Sequence, residues 1–178
     1  LYVNLRGYAP GPPLSAVDVL PRFLRALGTE PDQVPLDQDE QEAMFRSTLT
    51  GQRVLLLLDN ASSAEQIRPL LPGSPGCAVL VTSRDTLRGL AVSHAASNVR
   101  LDVLDWHETK ALLAGILGAD EVASQEEAAL ELAALCAHLP LALRIAAANL
   151  VSRPELSIAD YVEELRAGNR LAALAVEG

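Results

Sequence analysis

Over the first hundred positions, short dense runs of apolar residues alternate with polar segments that carry helix signals, which predicts strands alternating with helices. Leu1–Leu5 has strand alternation and ends at Arg6-Gly7 and a loop rich in Pro and Gly. Ser15-Ala16-Val17-Asp18 has the form of a capping box, opening a helix to about Leu27 with Gly28 as its stop. Pro21 inside that stretch marks either a kink or the true first turn. A second helix is expected from about Asp39 to Thr50, closed by Gly51. Val54–Leu58 and Cys77–Val81 are apolar without alternation, as expected of parallel strands covered on both faces, and Val99–Val103 is a last strand candidate. Between the first two, Ser62-Ser63-Ala64-Glu65 caps a short helix that ends near Pro69.

After Leu104 the pattern is helical throughout. Asp105-Trp106-His107-Glu108 is a capping box for a helix to Leu117, stopped by Gly118, and Ser124-Gln125-Glu126-Glu127 opens another to about Ala137. Pro140, at the first helical position, restarts a helix through about Val151, and Ser157-Ile158-Ala159-Asp160 caps a fourth that stops at Gly168. The expected architecture is an α/β layer with a parallel sheet over residues 1–104, followed by a four-helix subdomain over residues 105–178.

Composition narrows the function classes. Hydrophobic residues make up 49% of the chain and aromatic ones 3%, so Leu, Val and Ala must fill the core. The formal charge is −9, Lys110 is the single lysine, and no cluster of Lys and Arg stands out, the reverse of what a phosphate-backbone binder needs. Direct nucleic-acid binding by this segment is therefore not expected. No apolar run reaches the roughly 18 residues of a membrane span, and the N-terminus lacks a basic leader, so the expected location is the cytoplasm, without membrane contact. Cys77 and Cys136 lie in apolar runs without CxxC spacing and read as reduced core residues. The chain opens on a strand rather than on Met, as a piece cut from a longer protein does.

Three places can carry chemistry. Asp59 follows the Val54–Leu58 run, so a buried strand delivers one carboxylate to the carboxyl edge of the sheet, where it can hold a Mg²⁺ beside phosphate. The plainer alternative is that many parallel strands end in Asp because the following turn accepts it. Thr82-Ser83-Arg84 repeats the arrangement one strand later, placing two hydroxyls and a guanidinium at the edge; Arg84 either reads a terminal phosphate or pairs with a local acid such as Asp85. His138-Leu139-Pro140-Leu141-Ala142 gives a helix a rigid apolar edge suited to an adenine ring, or is simply a helix start after a kink. The scattered His94, His107 and His138 have no metal-ligand spacing. Trp106 is expected to seal the hinge between the two layers, and Glu126, Glu127 and Glu131 to form a solvated helix face.

Taken together and in this order, these segments resemble the NB-ARC module of STAND-type P-loop ATPases, over essentially the whole chain. The likeness is closest to the version in actinobacterial antibiotic-regulatory-type transcriptional activators. It rests on Leu1-Tyr2-Val3-Asn4-Leu5-Arg6-Gly7-Tyr8, Leu57-Leu58-Asp59-Asn60-Ala61, Val79-Leu80-Val81-Thr82-Ser83-Arg84 and Leu139-Pro140-Leu141-Ala142-Leu143-Arg144. The resemblance implies that Asp59 is the Walker B residue for Mg²⁺ and that Arg84, with Thr82 and Ser83 beside it, senses the γ-phosphate. Leu139 and Pro140 are then the adenine-facing pair of the family's Gly-Leu-Pro-Leu motif, with His138 where the glycine usually stands.

Two departures shape the expectation. No Gly-x-x-x-x-Gly-Lys-Ser/Thr loop is present, and in the family that strand and its helix precede the segment matching Leu1–Leu5. Without those backbone N–H groups and the lysine, most phosphate-binding energy is missing, so this chain alone neither hydrolyses ATP nor binds it well. Asn60 stands where many ATPases place a second carboxylate, and an amide cannot act as a general base, so the intact parent is expected to switch on ATP/ADP and hydrolyse slowly. The alternatives are a non-catalytic interaction scaffold derived from the same fold, or an unrelated α/β enzyme using Asp59 as acid or base.

The family's strand order also places the P-loop strand between Cys77–Val81 and Val99–Val103, leaving a gap in the sheet. Because buried unpaired backbone groups cost about 1–3 kcal/mol each, that gap must be closed. Either Val99–Val103 moves over to pair with Cys77–Val81, or another chain fills the slot, or the free edge pairs across a homodimer.

Overall fold

A computed structural model describes residues 1–94 and 96–168. The chain divides into two compact units, Leu1–Val99 and Arg100–Gly178, the division falling ahead of the Leu104/Asp105 boundary read from the pattern.

The first unit is a three-stranded parallel sheet, order β1-β2-β3, with β1 at Tyr2–Asn4, β2 at Leu55–Ala61 and β3 at Ala78–Ser83. The register pairs Val3 with Leu58 and Leu58 with Val81. Helices α1 (Ala16–Ala26) and α2 (Gln38–Thr48) pack on each other, and Phe23 stacks on Phe45 with ring centroids 5.8 Å apart. Their apolar stripes meet one face of the sheet, so Val19, Leu20, Leu24, Leu49, Leu56 and Leu58 are fully buried in one core. Each such leucine contributes about 1.5–3 kcal/mol of burial. Pro21 lies inside α1, in its second turn, rather than at its start. Asp37 caps α2, its carboxylate accepting from the backbone N–H groups of Asp39 and Glu40, so that helix begins slightly earlier than its apolar pattern.

A single glutamine ties the layers together. Gln66, in the short helix α3 (Ala64–Ile67), donates through Nε2 to the carbonyls of Leu5 (2.9 Å) and Leu14 (2.8 Å), and its Oε1 accepts from the Ser62 N–H (3.0 Å). The end of β1, the approach to α1 and the exit from β2 therefore share one side chain. Gly7 closes the same region: its N–H donates to the Asn60 carbonyl at 2.7 Å, and a Cβ there would lie 2.5 Å from that oxygen.

Two expectations about the sheet are corrected. Val99–Val103 is not a strand; Val99 and Leu101 are 81% and 91% exposed. An isolated alternating segment has no neighbour to take its N–H and C=O groups, and among the described residues none is offered, so pairing with β3 does not occur. Nor are β2 and β3 covered on both faces. Leu56 and Leu58 are buried, whereas Tyr2, Leu55 and Leu80, on the opposite face, are 61%, 60% and 57% exposed. The short helix α4 (Arg88–His94) is not announced by an apolar stripe; among its described side chains Leu90 alone is buried.

The second unit contains five helices among the described residues: α5 (Trp106–Leu117), α6 (Ala119–Ser124), α7 (Glu126–Leu135), α8 (Pro140–Ser152) and α9 (Ile158–Ala167). The expected four become five because Ala119–Ser124 forms a helix of its own before α7. α5 packs on α8 and α7 on α9 around Leu113, Leu132, Leu143, Ala147, Tyr161 and Leu165. Trp106 is half-buried against this same core. Lys110 bridges to Glu126 (Nζ to Oε1, 2.5 Å), and Arg166 pairs with Glu131 and Glu163, so the expected acidic face is partly neutralised.

Candidate functional site

Parallel strands deliver the residues that follow them to one edge, and here β1, β2 and β3 bring Asn4, Asp59, Asn60, Thr82, Ser83 and Arg84 together. β2 departs from regular register between Leu58 and Ala61, where Asn60 takes a left-handed conformation (φ 59°) that asparagine tolerates better than most residues. The kink is held by Thr82, whose Oγ1 accepts from the Asn60 N–H at 2.9 Å. The same hydroxyl donates to Asp59 Oδ1 at 2.5 Å, fixing the carboxylate from the neighbouring strand. The other carboxylate oxygen, Oδ2, has only a long 3.4 Å contact from the Tyr2 hydroxyl. Asn4 Oδ1 accepts from the Arg6 N–H (2.9 Å) and lies 3.4 Å from Asn60 Nδ2.

Ser83 turns the other way. Its Oγ donates to the Ala61 carbonyl (2.7 Å) and accepts from the Asp85 N–H (3.0 Å), which fixes the turn leaving β3. Arg84 projects from that turn, exposed, with its guanidinium carbon 4.9 Å from the centre of the Tyr8 ring. No ion pair joins Arg84 to Asp85 or to any other acid among the described residues. Asp85 instead accepts from the Tyr8 hydroxyl at 2.6 Å, so the local-acid alternative for Arg84 is not what the structure adopts.

Leu139 and Pro140 lie in the second unit. The chain turns between α7 and α8 through two left-handed residues, Ala137 (φ 51°) and His138 (φ 55°), a geometry that explains why glycine suits the position His138 fills. The His138 carbonyl accepts from the Leu104 N–H (3.1 Å), and its Nδ1 lies 3.4 Å from the buried Thr109 hydroxyl. Leu139 then caps α8, Pro140 takes the first helical position, and Leu139 and Leu141 are 49% and 70% exposed. This turn presents an open apolar edge.

Pattern reading assigns no role to Asn4 or Tyr8, although both lie in the segment Leu1–Tyr8, and it considers Asp85 as a partner for Arg84 rather than for Tyr8. Tyr8 meets Ser83 across 75 positions of sequence, so only the register of the parallel sheet puts Asn4 beside Asp59 and Tyr8 beside Arg84.

Asp59 offers one carboxylate as a metal donor. Among the described residues no group of three or more His, Cys, Asp or Glu side chains could hold a metal. A single carboxylate at an open sheet edge suits Mg²⁺, which keeps several waters and takes other ligands from phosphate.

No family model matches the chain. Proteins similar to it include the regulatory protein AfsR of Streptomyces griseus, 51% identical over 153 residues, which is 86% of this chain and 15% of that protein. The regulatory protein AfsR of Streptomyces coelicolor is 49% identical over the same share of both. The chain spans about 15% of the length of the curated relatives it matches, and both are regulatory proteins of actinobacteria, in keeping with the regulator side of the resemblance.

Proposed function

We propose that the chain is part of the nucleotide-dependent (ATP/ADP) switch module of a STAND-type regulator of transcription, acting in the cytoplasm. The observation that carries this is the edge itself: Asp59 and Arg84 follow neighbouring parallel strands, Asp59 is oriented by Thr82, and Arg84 is free of any acid among the described residues. A carboxylate held firmly through one oxygen, with only a long contact on the other, is suited to a hydrated Mg²⁺, and a guanidinium without an acid partner is suited to a terminal phosphate. The exposed Leu139 and Pro140 offer the apolar edge for an adenine, and Ser83 shapes the turn that carries Arg84. Likeness to actinobacterial regulatory proteins supports the regulatory half of the reading.

Bound nucleotide would act by population shift. Contacts of Arg84 with a γ-phosphate favour one arrangement of the regulator, and their loss favours another. The test is nucleotide binding by the intact regulator. Asp59→Ala should weaken Mg²⁺-dependent binding, and Arg84→Ala should abolish the preference between ATP and ADP while leaving ADP affinity nearly intact. Equal losses for both nucleotides in Arg84→Ala would assign that residue a structural role, and no Mg²⁺-dependent nucleotide binding by the unsubstituted regulator would favour the non-catalytic scaffold.

A further inference from the structure

We infer that Tyr8 is a positioning residue for Arg84, acting in two ways at once, and this inference rests on the reading of Arg84 as a phosphate sensor. Tyr8 belongs to the loop after β1 and is half-buried, while Arg84 and Asp85 are exposed on the turn after β3. The ring lies under the guanidinium, 4.9 Å from centre to Cζ, within the range of a cation–π contact. The hydroxyl donates to Asp85 Oδ2 at 2.6 Å and lies 3.3 Å from Ser83 Oγ. The ring therefore steadies the cation, and the hydroxyl engages the acid next to it in sequence.

The second effect matters more for a sensor. An exposed arginine adjacent to an aspartate on a tight turn can collapse into a local ion pair, and a guanidinium so engaged presents fewer N–H groups to a phosphate. In the structure Asp85 is directed to the phenol, and its backbone N–H is tied to Ser83. Tyr8 itself is placed by Gly7, whose closeness to Asn60 and Ser62 fixes the loop against the end of β2. The device thus links all three strand ends to the orientation of one side chain.

The experiment is a set of substitutions in the intact regulator, read as the ratio of ATP to ADP affinity alongside the melting temperature. Tyr8→Leu should reduce the ATP preference on the order of three- to tenfold, the scale of a lost cation–π contact with a competing ion pair added. Tyr8→Phe keeps the ring and frees Asp85, so it should fall between Tyr8→Leu and the unsubstituted protein. Tyr8→Leu combined with Asp85→Asn should regain part of the lost preference, because the competing acid is gone. Added to Arg84→Ala, Tyr8→Leu should change the ratio no further.

Each outcome decides between the ideas. Arg84→Ala without effect on the ratio overturns the sensor reading beneath the inference. A sensitive Arg84→Ala with an unaffected Tyr8→Leu overturns the role of Tyr8 alone. Equal weakening of ATP and ADP with a lower melting temperature in both Tyr8→Leu and Tyr8→Phe, and no regain with Asp85→Asn, would make Tyr8 a structural residue and also overturn the inference.

Discussion

Cys136 shows how burial sets the chemistry of one residue. It sits at the end of α7 inside the second core, 2% exposed, and burial pushes its thiol up to about 11. Because the thiolate is the reactive form, only roughly one molecule in a thousand carries it at pH 8. Cys77 is half-buried at the start of β3, its Sγ 3.7 Å from the Gln52 carbonyl. Alkylation at pH 8, followed by mass spectrometry, should label Cys77 first and Cys136 only after denaturant is added. Native labelling of Cys136 at the rate of Cys77 would contradict this. The sign of the linkage is also fixed: the raised value means full stability while the thiol is neutral, and loss as pH climbs from about 9 through 11. At this scale Asp59 and Arg84 could be singled out from sequence because each ends an apolar run. The pairing of Tyr8 with Asp85 could not, since nothing local marks a contact whose partner arrives through sheet register.

Among the elements, most helix starts follow their local signals, the exception being α7, where the expected cap Ser124 instead ends α6. The boxes at Ser15/Asp18, Asp105/Glu108 and Ser157/Asp160 all form, because their bonds span only three residues and need no tertiary partner. In α1 the Asp18 carboxylate accepts from the Ser15 hydroxyl (2.6 Å) and N–H (2.9 Å), and these bonds hold its titration below the usual aspartate range. A depressed value in the folded state means that the stabilisation is present above the ordinary range and disappears as pH falls through the folded one. Asp18→Ala should therefore lower the melting temperature at neutral pH and change it little in strong acid, where the native cap is already protonated. A loss of equal size at both pH values would show that the carboxylate charge contributes nothing. Strands behave differently. Val99–Val103 alternates apolar and charged residues, a pattern a strand can carry, and still does not pair, because a strand exists only where another supplies the opposing backbone groups.

For the whole molecule, the open sheet face is the main consequence. A parallel sheet normally has both faces covered, and here the side with Tyr2, Leu55 and Leu80 is bare among the described residues, while β3 ends the sheet. Exposed strand edges and apolar faces recruit partners, so we propose that the isolated chain associates with a second copy through this region. Leu55→Gln with Leu80→Gln should shift it toward monomer in analytical ultracentrifugation with little change in melting temperature. Leu56→Ala, one residue away but fully buried, should cost about 2–5 kcal/mol. Unchanged association in the double substitution, or equal destabilisation by Leu55→Gln and Leu56→Ala, would remove the open face from the account.

What the sequence determined alone was whatever depends on neighbours a few positions apart: the capped helix starts, the turn glycines, the apolar runs of β2 and β3, and the carboxylate and guanidinium that follow them. The tertiary structure decided which face of the sheet is buried, that Val99–Val103 stays unpaired, and that Tyr8 occupies Asp85 beneath Arg84. Local hydrogen bonds and side-chain periodicity are written in short windows of sequence. Burial, register and the company a charged side chain keeps depend on segments that only folding brings into contact.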